Sequence, residues 1–187
     1  ERLLLLGHSM GGSVATGTAA LLGGRVRALV LLEGMGPAFA DLTRTRGRLG
    51  RWVAALGQPA VDGDVAYRRR RRRVMSNIEE AAERLRRFNP RLSEARSRAL
   101  AGSFTEPVEH GVAWRFDPLH RTPAAKPFVL EEARALWAAV EAPTLSLFGE
   151  LGFGPPDLAD RHAALREVRA GVLPGVGHNI HHERPEL

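Results

Sequence analysis

The first apolar run, Leu3 to Leu6, stops abruptly at Gly7. It is too short for a buried helix, and the flanking glycine favours a buried strand. Residues 10–22 are small and apolar, with Ala15, Ala19, Ala20, Leu21 and Leu22 ahead of a Gly23-Gly24 stop. That pattern predicts a helix whose small side chains pack closely. Val26 to Leu32 predicts a second buried strand, closing at Glu33-Gly34. Strand, helix and strand in succession form a βαβ unit, which requires parallel strands.

From about Pro37 to Val140 the pattern predicts helices without strands. Leu49, Trp52, Val53 and Leu56 recur at helical spacing, as do Ile78, Ala82, Leu85 and Phe88. Asn89-Pro90 interrupts the chain, and a helix from Ser93 to Leu100 should stop at Gly102. Residues 103–129 carry four prolines and read as loop, including Trp114-Arg115-Phe116-Asp117-Pro118. A further helix is expected over about Leu130 to Val140. The mixed pattern then returns, with a strand at Thr144 to Phe148, a helix at Asp157 to Glu167 and a strand at Val168 to Leu173. The expected organisation is a core of residues 1–36 and 141–187 with a helical insertion at 37–140.

Composition narrows the chemistry. Hydrophobic residues make up 44% of the 187 and charged residues 26%, as in an average soluble protein, which excludes disorder. No stretch reaches the roughly 18 apolar residues of a membrane helix. There is no cysteine, so thiol catalysis, disulfide scaffolds and thiolate metal sites are excluded. A cytoplasmic location and no membrane association are expected. The net charge of +6 suggests nucleic acid until it is broken down. Lys126 is the only lysine among 27 basic residues. We read that skew as the mark of a GC-rich bacterial genome. Arg68 to Arg73 would point all round a helix, and no aromatic residues alternate with them to stack bases. The expectation is a solvated segment and no nucleic-acid partner.

The chemistry concentrates at two places. Gly7-His8-Ser9-Met10-Gly11 lies between the first strand and the first helix, which is where Gly-x-Ser-x-Gly acquires meaning. A sharp strand-to-helix turn exposes Ser9 Oγ at the C-terminal sheet edge, with Gly7 and Gly11 avoiding collisions. It also aims the Met10 N–H and the helix N-terminus at developing negative charge. At the far end, Pro174-Gly175-Val176-Gly177-His178 places a histidine just past the last strand. On a parallel sheet both groups share one edge, and a serine hydroxyl needs such a base. The competing reading, a zinc cluster of His178, His181, His182 and Glu183, lacks metal-binding spacing.

These segments resemble the α/β-hydrolase superfamily. Gly-His-Ser-Met-Gly-Gly, Ala-Pro-Thr-Leu-Ser-Leu-Phe-Gly-Glu and Pro-Gly-Val-Gly-His-Asn-Ile-His-His-Glu-Arg-Pro-Glu each look like its members, in its order. The Trp-Arg-Phe-Asp-Pro loop looks like the serine hydrolase-like branch. The resemblance implies the C-terminal half of the parallel hydrolase sheet, strands five to eight, with a helical cap insertion. The family's acid usually follows strand seven, but that position here is Gly152. Glu33, Glu150 and Asp157 remain. Some dehalogenase relatives carry the acid after strand six, so Glu33 is favoured and Glu150 is second. The chain opens directly on strand five and stops where the last helix should begin. It therefore looks like a fragment, expected to fold poorly alone behind an exposed, apolar Leu3–Leu6 edge.

The resemblance implies a serine hydrolase acting on a carboxylic ester or similar acyl bond, with Ser9 as nucleophile, His178 as base and Glu33 as acid. Met10 and His8 fall on the oxyanion and substrate-binding side. No cofactor and no metal are expected. The partner is a small-molecule substrate with an apolar part, met by Trp52, Phe88 and Trp114 of the insertion. Lipase, amidase and C–C hydrolase chemistry stay open. A serine where aspartate would stand argues against haloalkane or epoxide chemistry. The rival from another class is a non-catalytic remnant that binds a small molecule or partner.

Overall fold

A computed structural model describes residues 2–37, 42–56, 72–117, 120 and 124–187. The chain divides into two compact units, residues 1–40 with 128–187, and residues 41–127. The insertion is therefore shorter than the expected 37–140. Its supposed last helix, Leu130–Ala139, buries Trp137 in the core of the first unit, next to Val140.

In the first unit, β1 (Leu3–His8), α1 (Met10–Leu22) and β2 (Val26–Leu32) form the expected βαβ crossover. β6 (Thr144–Leu151) and β7 (Val168–Gly177) complete a four-stranded sheet in the order β1-β2-β6-β7, parallel throughout. Leu29, Leu31 and Phe148 turn to one face and pack with Ala15, Ala19, Trp137 and Val140. Each fully buried side chain of this size contributes about 1.5–3 kcal/mol. Alanines on α1 let it lie close to the sheet and to α5, the Leu130–Ala139 helix.

The opposite face corrects one expectation. Leu4 and Leu6, read as buried, are 71% and 65% exposed, and their row continues through Val30 to a half-open Leu145. β1 pairs only with β2 among the described residues, so it is an edge strand with one face uncovered. α6 (Leu158–Ala163) is shorter than expected, whereas β7 runs four residues further, to the last glycine before His178. α7 (Ile180–Glu183) follows.

The second unit contains strands where none were expected. β3 (Val74–Met75), β4 (Thr105–Val108) and β5 (Gly111–Trp114) form an antiparallel sheet in the order β3-β5-β4. Four of the residues read as a proline-rich loop are thus β4 and four are β5. Pro107 is tolerated because β4 is an edge strand and needs no second ladder of N–H groups. α2 (Thr45–Leu56), α3 (Ile78–Phe88) and α4 (Glu94–Phe104) match the helical spacing, though α4 runs straight through Gly102. Asn77 and Ser93 cap α3 and α4 through side-chain bonds to Glu80 and Arg96 N–H. Met75, Ala81, Ala82 and Ala101 form the unit's core. Phe88, expected to face substrate, is 82% exposed. Arg68 to Arg71 and Pro118 lie outside the described residues; Arg72 pairs with Glu106. No helix among the described residues is long and apolar enough to cross a membrane.

Candidate active site

Between the end of β1 and the start of α1 the chain turns on a single residue. Ser9 sits at φ 52° and ψ −121°, a conformation that costs a non-glycine residue about 1–3 kcal/mol. Backbone bonds hold it there. The Ser9 N–H donates to Leu32 O at 2.9 Å, and the Ser9 carbonyl accepts from Gly12 N–H at 2.9 Å. A side chain at Gly7 would run into the Gly11 carbonyl, and one at Gly12 into the Gly34 backbone. Gly11 itself faces open space, so the steric demand falls on Gly7 and Gly12 rather than on Gly7 and Gly11. Met10 is the first residue of α1, among those whose N–H has no acceptor within the helix.

The other predicted residues gather at the same end of the sheet. β7 delivers His178, whose Nδ1 lies 2.9 Å from Glu33 Oε2. Glu33 follows β2 at φ 52°, and its N–H bonds Leu147 O at 2.8 Å. Its side chain is almost wholly buried, yet both oxygens are occupied. Oε1 accepts from Gly149 N–H at 2.8 Å, and Oε2 accepts from Phe153 N–H at 2.8 Å as well as facing His178. Burial alone would raise this carboxyl, but the bonds from His178, Phe153 and Gly149 outweigh it and hold Glu33 below the usual carboxylate range. The alternatives are engaged elsewhere. Glu150 accepts from Gly175 N–H at 2.8 Å, and Asp157 pairs with Arg161.

Gly152, the position where the resemblance expects an acid, touches this cage directly. A Cβ there would overlap the Glu33 carboxylate and come within 2.6 Å of its Cδ. The Glu33 carboxylate fills the space that a side chain at 152 would need. The Gly149 and Phe153 N–H donors escaped sequence reasoning because backbone groups leave no residue-type signal. The glycine at 152 was the available clue.

His8 links the serine turn to the His178 loop. Its Nε2 lies 2.9 Å from His178 O, and its ring sits 4.7 Å from that of His178 and 4.5 Å from that of His181. Phe153 lies against the His178 ring at 4.7 Å. His181 is pushed down to about 4, first by desolvation and then by His182, His8 and His178; His8 is also lowered, chiefly by burial. Among the described residues no three His, Asp or Glu side chains form a metal-holding group.

These shifts share a sign. A histidine lowered in the folded state stabilises it fully above its ordinary value near 6.5 and loses that contribution as pH falls towards the folded value. For His181 the window runs from about 6.5 to about 4. Thermal melts at pH 7 and pH 5 should show a drop in Tm that His181→Asn reduces. With the ring partly open to water, the difference is on the order of 1 kcal/mol, or about 2–4 °C. An unchanged drop in the variant would show that His181 does not resist protonation.

The model of the Alpha/beta hydrolase family matches residues 1–187. No curated protein matches the chain. Among solved structures, a hypothetical protein, PA1622, from Pseudomonas aeruginosa PAO1 is 28% identical with a TM-score of 0.78, covering 100% of this chain and 63% of its own. The thioesterase domain from the curacin biosynthetic pathway is 26% identical, TM-score 0.75, over 97% of this chain and 62% of that one. The Mycobacterium tuberculosis esterase Rv0045c shares the fold at 17% identity and TM-score 0.66, over 97% and 58%. The chain thus spans about three fifths of the length of these proteins.

Proposed function

The chain belongs to the alpha/beta hydrolase family, and from that premise we propose that it carries the catalytic groups of a serine hydrolase acting on carboxylic esters or thioesters. Ser9 Oγ attacks the acyl carbon while His178 Nε2 accepts its proton. The Met10 N–H and the α1 N-terminus stabilise the oxyanion. Glu33 fixes the His178 tautomer through Nδ1–H and offsets the imidazolium charge. His178 then protonates the departing alcohol or thiol, and water releases the acid by the same steps in reverse. No group outside the protein is required. The substrate is a small molecule with an apolar part, and a chain without cysteine suits a reducing cytoplasm. Thioesters join the substrate class because of the likeness to the curacin thioesterase domain.

The observation that carries this reading is the 2.9 Å contact between Glu33 and His178, with Glu33 held by two further N–H groups beside the serine turn. It is tested with matched p-nitrophenyl esters and acyl thioesters on the intact protein. Glu33→Gln should lower kcat by about 10⁴ because the imidazole loses its tautomer, whereas Glu150→Gln should change it by less than about threefold. The reverse pattern would move the acid to the loop after β6. Absence of turnover on every acyl substrate would favour the non-catalytic remnant.

A further inference from the structure

We propose that Arg161 is a positioning residue for Glu33, clamping the backbone that runs from the acid towards the insertion. The proposal rests on the assignment of Glu33 as the partner of His178. Arg161 lies on α6 and is completely buried, an expensive place for a guanidinium unless its donors are met. They are met in a directional way. Nε and Nη2 both face Asp157 Oδ1 at 2.9 Å, which holds that carboxyl below its usual range. Nη1 donates to three successive carbonyls, Met35 at 2.8 Å, Gly36 at 3.2 Å and Pro37 at 2.9 Å.

Those carbonyls begin two residues after Glu33. The guanidinium also lies 5.4 Å from the centre of the Phe128 ring, where the chain re-enters this unit after the insertion. One buried cation thus touches both the departing and the returning segment. Glu33 needs such a hold. Its φ of 52° is unfavourable for a non-glycine residue, and its carboxylate must meet two N–H groups and an imidazole at once. On one side Glu33 N–H is tied to β6 through Leu147 O. On the other, the Met35 side chain is buried in the core, and the Arg161 clamp holds the carbonyls of residues 35–37. The planar fork reaches Asp157 through Nε and Nη2 while Nη1 faces the carbonyls, a division that a single ammonium cannot make. Without Arg161 the carbonyls of residues 35–37 lose their donor, the backbone after Glu33 shifts, and the carboxylate moves off Nδ1.

The test compares Arg161→Met and Arg161→Lys with Glu33→Gln in the intact protein, using a chromogenic ester and counting competent sites with a fluorophosphonate. In Arg161→Met, kcat per titrated site should fall roughly 10–100-fold with KM within about twofold, since positioning rather than binding is lost. The charged and titratable groups against the His178 ring are Glu33, His8 and His181. Displacing the anion among them should move the acid limb of kcat/KM to lower pH and remove the low-field Nδ1–H proton resonance. Arg161→Lys keeps the charge beside Asp157 and should recover part of both. If Arg161→Met does not fold, Arg161→Lys carries the test through a smaller limb shift in the same direction. An unmoved limb and resonance in the folded Arg161 variants, with only Tm lowered, would overturn the proposal and leave Arg161 as a structural fastening. If Glu33→Gln itself leaves the limb in place, the acid assignment fails and this proposal falls with it. A shift in Glu33→Gln without one in the Arg161 variants would sink the clamp alone.

Discussion

Ser9→Ala should abolish labelling by a fluorophosphonate probe and lower kcat by about 10⁶ in the intact protein. The expected loss is this large because base and acid both act through the serine oxygen, and removing it leaves only the oxyanion donors and substrate binding. The turn supplies the specificity of the test. Ser9 is held at φ 52° by its bonds to Leu32 and Gly12, and alanine can occupy the same strained position with the same backbone partners. The variant should therefore fold like the parent, with a Tm within about 2 °C, since the hydroxyl makes no contribution to that backbone hold. Labelling of Ser9→Ala at the parental rate would mean that another serine reacts. Ser146 is a poor substitute, being fully buried with its hydroxyl against His162 Nε2 at 2.9 Å. Equal labelling would thus remove the nucleophile assignment rather than merely weaken it.

Several features of the site were legible from residues alone. The strand–Gly-x-Ser-x-Gly–helix order puts Ser9 in the turn between β1 and α1, where the structure has it. The histidine after the last strand follows from parallel topology, which sends every strand end to one edge. Glu33 was legible only by elimination and resemblance. Its role as a bonded partner depends on Gly149 and Phe153 N–H groups, whose placement comes from the β6 turn and not from any side chain. The second unit was less legible. Thr105–Val108 and Gly111–Trp114 are four-residue strands, too short for period-two alternation to show, and Pro107 masks one of them. The burial of Leu4 and Leu6 was misread for a different reason. Apolar runs report what a strand can bury, whereas coverage depends on neighbours, and β1 has one among the described residues. Arg161 left no signal either, since one arginine among many cannot be singled out until its carbonyl partners are seen.

Moving the acid across the site provides the second large effect. Gly152→Asp alone should cost at least about 100-fold in kcat, because its Cβ overlaps the Glu33 carboxylate and two anions cannot share one buried cage. Glu33→Gly alone should cost about 10⁴, with little backbone penalty because glycine accepts φ 52° freely. Combining the two removes the overlap and offers a new carboxylate from the β6 side to the same Gly149 and Phe153 donors and to His178 Nδ1. The double variant should then run about 10–100 times faster than Glu33→Gly, although each substitution is harmful by itself. That sign reversal is the informative quantity, since additive damage would make the double variant the slowest of the three. Positions 33 and 152 are on this argument two routes to one seat. A double variant that folds, titrates with fluorophosphonate and turns over no faster than Glu33→Gly would show that the cage accepts its acid only from the end of β2.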